Sequence, residues 1–224
     1  MSPRVVAIVP AAGSGKRLGL KTRKPFVRLA GKPLVWHALA ALEGSKAVGA
    51  IVIACERSCV SRFQRLVKAS GFRKVVAIIE GGKERSDSVR NALAHVGSSC
   101  EIVLIHDGAR PLIDARTIEA SVRLASRYGG CIVAVPESDT VKAVDARLFI
   151  RKTLDREHIY RAQTPQAFRR SLIERAYAAR GAAGITDDAG LVEMVGGRVK
   201  ILQGSYRNIK ITTKEDLKLA EVLL

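Results

Sequence analysis

Pro10-Ala11-Ala12-Gly13-Ser14-Gly15-Lys16-Arg17-Leu18-Gly19, continuing to Lys24, is the stretch whose reading decides the fold. It follows the apolar, β-branched run at residues 5–9. A run that short, stopped by a proline, reads as a buried strand. The strand therefore empties into a loop of small residues carrying two adjacent cations. Gly13 and Gly15 let the backbone approach a ligand closely, and successive N–H groups in such a loop make an anion-binding concavity. Eight Lys or Arg residues precede Glu43, the first acid of the chain. A polyphosphate is the ligand this chemistry suits.

Two common phosphate loops do not fit. A P-loop needs G-x-x-x-x-G-K-[ST]; here Pro10 stands at the first glycine and Arg17 at the hydroxyl position. The dinucleotide fingerprint needs G-x-G-x-x-G with an acid about 20 residues on. Here Leu18 replaces the third glycine and no acid lies between Lys16 and Leu42.

Outward from the loop, the pattern alternates. Leu34, Trp36, Leu39 and Leu42 follow Pro33 at helical spacing; a second strand covers 49–54; Val60, Phe63, Leu66 and Val67 mark a second helix; a third strand covers 75–79. Strand, helix, strand, helix, strand predicts a parallel sheet with right-handed crossovers. The third strand ends in Glu80-Gly81-Gly82-Lys83-Glu84-Arg85-Ser86-Asp87-Ser88, where Ser86 or Asp87 is expected to cap the next helix. A helix N-terminus there favours a phosphate or a polar base edge. The fourth strand, 102–105, ends in His106-Asp107-Gly108-Ala109-Arg110-Pro111. In open α/β sheets ligands lie beyond the carboxyl ends of the strands. Asp107 is thus placed to meet Mg²⁺ through one carboxylate plus substrate phosphates, and Arg110 to anchor a second anion.

A helix over 113–128 and a strand over 131–135 come next. Residues 137–161 are polar and interrupted, which predicts a hairpin-like β-arm outside the core of a single domain spanning 1–224. Phe168, Leu172, Ile173 and Ala176 have helical spacing. Thr186-Asp187-Asp188 is expected to cap a helix through Met194, a strand follows over 199–202, and Thr213 is expected to cap a closing helix.

At 224 residues the chain can bury a substantial core. Its formal net charge of +17 implies anionic partners. Aromatics are only 4%, which leaves few stacking platforms and argues, with the lack of a recognisable module, against specific nucleic-acid binding. Cys55, Cys59, Cys100 and Cys131 lack metal or redox spacing and are expected to be buried thiols. With no signal peptide and no apolar stretch near 18 residues, a soluble, cytoplasmic protein without membrane contact is expected.

The ordered set of motifs resembles the 2-C-methyl-D-erythritol 4-phosphate cytidylyltransferase family. The resemblance spans essentially the whole chain. It rests on residues 10–17, on Gly81-Gly82 with Asp87-Ser88-Val89, and on 106–111. Asp139-Thr140-Val141-Lys142, Thr164-Pro165-Gln166, Ile185-Thr186-Asp187-Asp188 and Asn208-Ile209-Lys210 complete it. It implies a Rossmann-like nucleotidyltransferase fold, α/β with a mostly parallel sheet flanked by helices and a protruding β-arm. It further implies CTP as donor, a polyol phosphate as acceptor, Mg²⁺ as cofactor and a homodimer. Arg17 and Lys24 are implied as catalytic cations. Ala11, Ala12, Gly13, Gly82, Ser88 and Asp107 are implied to bind the nucleotide, with Asp107 also meeting the metal. Arg110, Thr140, Arg156, Thr164 and Lys210 are implied to surround the acceptor. One departure is Arg23-Lys24-Pro25, where the family commonly shows Pro-Lys-Gln. A cytidylyltransferase acting on ribitol 5-phosphate would share the nucleotide loops, and a more distant enzyme would use UTP or dTTP on a sugar 1-phosphate.

Overall fold

The computed structural model describes residues 4–13, 15, 19, 22–179 and 185–224. In chain order the strands and helices begin with β1 (Val5–Ala11), β2 (Arg28–Leu29), β3 (Lys32–Pro33), α1 (Leu34–Gly44), β4 (Ala50–Cys55) and α2 (Val60–Ser70). There follow β5 (Val75–Glu80), α3 (Arg85–Leu93), β6 (Ile102–Ile105), α4 (Ala115–Tyr128), β7 (Gly130–Pro136), β8 (Lys142–Val144) and β9 (Ile150–Thr153). The chain ends with β10 (Tyr160–Arg169), α5 (Arg170–Ala178), α6 (Asp188–Met194), β11 (Val199–Gln203) and α7 (Lys214–Leu223).

Seven strands form one sheet in the order β11-β7-β10-β6-β1-β4-β5. Strands β1, β4, β5 and β6 run parallel, as do β7 and β11, whereas β10 is antiparallel to both its neighbours. The near-continuous apolar runs of β1, β4 and β6 follow from this position, since a parallel strand covered by helices on both faces is buried on both. Alternate residues confirm it. Ala7, Val9, Ile51 and Ile53 face one core with Leu39 of α1, Phe63 of α2 and Ile118 of α4. Val6, Ile8, Val52 and Ala54 face the other, with Val89 of α3, Ile173 of α5 and Leu191 of α6. The sheet is therefore wrapped on both sides, as the alternating pattern predicts.

Three sequence expectations change. Residues 160–169 form the antiparallel β10, so Phe168 belongs to a strand; it is fully buried between β6 and β7, and its helical spacing with Leu172 is accidental. Truncating such a phenylalanine to alanine costs about 3–5 kcal/mol. The cap of α3 is Glu84 instead of Ser86 or Asp87. Glu84 accepts from the Asp87 amide while the Asp87 carboxylate accepts from the Glu84 amide, a reciprocal pair that starts the helix earlier. The helix after β6 begins only at Ala115, because Asp114 caps it through the Thr117 amide at 2.8 Å. Asp187 and Thr213 cap α6 and α7 as expected.

Strands β8 and β9 pair only with each other, apart from the main sheet. At their tip Leu148, Phe149 and Ile150 are 80%, 67% and 63% exposed. Among the described residues no helix is long and apolar enough to cross a membrane. All four cysteines are buried free thiols.

Candidate active site

The chain reverses its direction of travel across the sheet between β1 and β6. It moves outward from β1 through β4 to β5, then crosses back to β6 on the other side. Loops leaving the carboxyl ends of β1, β5 and β6 converge there on a cleft of about 400 Å³. This is the crevice in which open α/β sheets hold ligands.

The first wall is Pro10 to Gly13, continuing β1. Gly13 is exposed and a Cβ there would meet nothing within 4 Å, so its backbone stands open to a ligand. Gly15 has φ +71°, and a Cβ on it would come 2.7 Å from Lys24 Cβ. Glycine at 15 is what lets the loop close onto Lys24, which lines the cleft. Pro25 follows within a short 3₁₀ turn and is buried, while Arg23 pairs with Glu56 at 2.7 Å. The Arg23-Lys24-Pro25 departure is thus accommodated: proline sits where a helical turn starts, needing no amide donor there. Lys16 and Arg17 lie outside the described residues.

The second wall is Gly82 to Arg85 with Ser88. The Ser88 hydroxyl accepts from the Gly82 amide at 3.0 Å and donates to the Glu84 carbonyl at 3.1 Å. It therefore folds the loop over the start of α3. A Cβ at Gly82 would fall 2.1 Å from Asp87 Cβ, so only glycine permits this approach.

The floor is Asp107, 5% exposed at the end of β6. Arg85 Nε donates to its Oδ1 at 2.8 Å and Lys210 Nζ to its Oδ2 at 2.6 Å. Burial by itself would raise this carboxyl's pKa. The charges and hydrogen bonds of Arg85 and Lys210 outweigh burial and hold it well below the usual carboxylate range. Below the floor, the Asp107 amide donates to Thr164 Oγ1 at 3.0 Å, and the same hydroxyl meets His106 Nδ1 at 3.0 Å. His106 Nε2 faces the Arg110 carbonyl at 3.1 Å. A carbonyl accepts only, so Nε2 carries the proton and Nδ1 accepts from Thr164. Burial pushes the imidazole pKa down to about 4, so His106 is a neutral structural strut.

Ala11, Ala12, Gly13, Lys24, Gly82, Ser88, Asp107 and Lys210 are brought together on one cleft. Four other expected residues are placed differently. Thr164 is buried under the floor with its hydroxyl engaged. Arg110 donates to the Asn208 carbonyl at 2.6 Å beside the cleft. Thr140 and Arg156 lie exposed in the 137–161 arm, Arg156 donating to the Ser138 carbonyl at 2.6 Å, and neither lines the cleft of its own chain. Sequence reasoning missed Arg85 as a cleft residue. Its only sequence signal is its place in the polar loop that follows Gly81-Gly82.

A doubly wound α/β sheet, a glycine-shaped loop after its first strand and an ionised carboxylate held between cations define the class: this is a nucleotidyltransferase. The family model described as "IspD: 2-C-methyl-D-erythritol 4-phosphate cytidylyltransferase" matches residues 5–224. The chain belongs to that family. It is 47% identical to the 2-C-methyl-D-erythritol 4-phosphate cytidylyltransferase of Pelotomaculum thermopropionicum, covering 99% of this chain and 94% of the relative. It is 46% identical to the protein of that name from Geobacillus thermodenitrificans, covering 97% and 96%. Among solved structures, 4-diphosphocytidyl-2C-methyl-D-erythritol synthase from Anaerococcus prevotii superposes with TM-score 0.86 at 27% identity, covering 98% of this chain and 97% of that one. The 2-C-methyl-D-erythritol 4-phosphate cytidylyltransferase of Thermus thermophilus gives 0.77 at 30%, covering 100% and 98%.

Proposed function

We propose that this chain transfers CMP from CTP to 2-C-methyl-D-erythritol 4-phosphate. The products are 4-diphosphocytidyl-2-C-methyl-D-erythritol and pyrophosphate, in isoprenoid precursor biosynthesis. The observation that carries this reading is the cleft itself: an ionised Asp107 bridged by Arg85 and Lys210, beneath an open backbone loop at the ends of β1 and β6.

A phosphate oxygen of the acceptor attacks the α-phosphorus of CTP, the bond from that phosphorus to the α,β-bridging oxygen breaks, and pyrophosphate leaves with that oxygen. The attacking phosphate has a second pKa of about 6, so it is largely dianionic at neutral pH and needs no general base. The neutral, enclosed His106 fits that requirement, since no base has to face the cleft. What the reaction does need is positive charge to bring two anions together and to stabilise the leaving oxygens. Arg17 and Lys24 are assigned that role, and Ala11, Ala12, Gly13, Gly82 and Ser88 the cradling of the nucleotide. Arg110, Thr164 and Lys210 border the acceptor end, Thr164 by supporting Asp107.

Asp107 is the residue that would hold Mg²⁺. Its two oxygens accept one hydrogen bond each, so each keeps a lone pair for a hard cation. The ion supplies neutralisation of phosphate charge when bound. Among the described residues the one cluster of three potential ligands, Asp155, Glu157 and His158, is exposed on the arm, which supports a site completed by substrate phosphates instead of an all-protein cage.

The arm favours a homodimer. A lone two-stranded hairpin is marginal in water, and its apolar tip needs a surface. A twofold partner supplies one reciprocally, so that Thr140 and Arg156 reach the partner's cleft. Four unpaired thiols fit a reducing compartment such as the cytoplasm.

The test is product identity. Purified enzyme, CTP and Mg²⁺ are incubated with 2-C-methyl-D-erythritol 4-phosphate or with ribitol 5-phosphate, and products are read by mass spectrometry. The expected result is the methylerythritol conjugate with stoichiometric pyrophosphate. A ribitol conjugate alone, or no CDP-polyol at all, overturns the assignment.

A further inference from the structure

Arg85 reaches beyond the cleft. While its Nε holds Asp107, its Nη2 lies 2.8 Å from Oδ2 of Asp188, a fully buried acid at the start of α6. This second contact is an ion pair, and among the described residues no hydrogen-bond donor meets that Asp188 oxygen. The other Asp188 oxygen accepts from the Tyr177 hydroxyl at 2.6 Å. The Asp188 backbone amide donates to Gln166 Oε1 at 3.1 Å, and Gln166 Nε2 donates to Asp187 Oδ2 at 2.9 Å. One planar guanidinium thus spans the start of α3, the end of β6 and the start of α6.

We propose that Arg85 and Asp188 are positioning residues for Asp107, a buried clamp that fixes the carboxylate's orientation in the cleft. This rests on the assignment of Asp107 above. The reasoning is geometric. A carboxylate torsion is broad and two-fold, so Asp107 needs an external constraint to present one oxygen in a defined direction. Lys210 is a flexible point charge and cannot supply it. Arg85 can, because a forked guanidinium fixes direction as well as charge, and Asp188 immobilises its far end. Asp188 is fully buried at the start of α6, against Tyr177, and does not line the cleft. Burying an acid there is costly unless it is paired, and Arg85 with Tyr177 provides the pairing.

A kinetic double-mutant cycle tests this. Asp188→Asn keeps size and shape but removes the charge that holds Arg85. It should lower kcat about 10- to 100-fold, the range found when groups that orient a functional ligand are removed. In an Asp107→Asn background the same change should cost less than about 2-fold, because the residue it positions is already altered. Arg85→Lys retains the charge that Asp188 needs for folding but cannot fork between two acids, and should couple to Asp107→Asn in the same way. Thermal unfolding accompanies each variant; if Asp188→Asn does not fold, the Arg85→Lys cycle decides. In the nucleotide-free and metal-free enzyme, Asp188→Asn should also speed exchange of the Asp107 amide about 10-fold, with β4 unchanged. Losses that multiply in both backgrounds, or an Asp107 amide that exchanges as before, overturn the clamp. An Asp107→Asn enzyme of normal activity overturns the Asp107 assignment and the clamp with it.

Discussion

Protonating His106 should weaken the fold in a defined pH window. The imidazole is fully buried, donates from Nε2 to the Arg110 carbonyl and accepts at Nδ1 from Thr164. Burial, opposed in part by the Arg110 carbonyl and Asp107, takes its pKa from 6.5 to about 4. Because the folded value lies below the unfolded one, the unfolded chain binds the extra proton first as pH falls. The stabilisation is therefore complete above about pH 7 and is lost as pH falls from 6.5 toward 4. Over the whole window the effect is about 3 kcal/mol, and between pH 7 and pH 5 it is about 2 kcal/mol. Asp107 does not confuse that interval. Its folded pKa is depressed, so its own contribution is complete above the unfolded carboxylate value near 4 and fades only below it. The assay is urea denaturation at pH 7 and pH 5 at constant ionic strength, for the native chain and for His106→Gln, which cannot titrate. The variant starts less stable but should lose about 2 kcal/mol less on going to pH 5. An equal fall in both proteins, or no fall in the native chain, would show that His106 is already solvated or charged, refuting the assigned hydrogen-bond directions.

Arg17→Ala should leave the fold intact and reduce turnover at least about 100-fold, since preorganised charge at a transferring group is worth that much; unchanged steady-state turnover would remove Arg17 from the mechanism. Gly82→Ala drives a Cβ to 2.1 Å from Asp87 Cβ and must displace the loop over α3. Its kcat/KM for CTP should fall about 100-fold, the usual consequence of a displacement near 1 Å, and normal kinetics would mean that the loop does not hold the nucleotide. Chelation of Mg²⁺ should abolish activity, and Asp107→Asn should then require more Mg²⁺ for half-maximal rate; an unaltered Mg²⁺ titration would make Asp107 purely structural. Arg17→Ala and Arg156→Ala homodimers should each be nearly inactive, while verified mixed dimers regain one intact site of two; mixed dimers without activity would mean that Arg156 acts within its own chain or that the site is not shared.

Much of this molecule is legible from local sequence, because a strand's burial and a helix's cap are decided by residues near each other. The apolar runs of β1, β4 and β6, the glycine loop after β1, the caps Asp187 and Thr213, and the position of Asp107 just past β6 all follow from residue type and spacing. The long-range polar pairings do not. Strand β10 carries Gln163, Thr164 and Gln166 into the interior, where their polarity gives no local sign of burial. They are tolerated because Asn208, His106 and the start of α6 satisfy them from distant parts of the chain. Arg85 reads as one more surface cation of a basic protein, yet tertiary structure sets it between Asp107 and Asp188. Hydrophobic periodicity records which face of an element is buried; it contains nothing about which buried charge will meet which. That pairing depends on the order of strands in the sheet, and only the folded chain brings β6, α3 and α6 to one point.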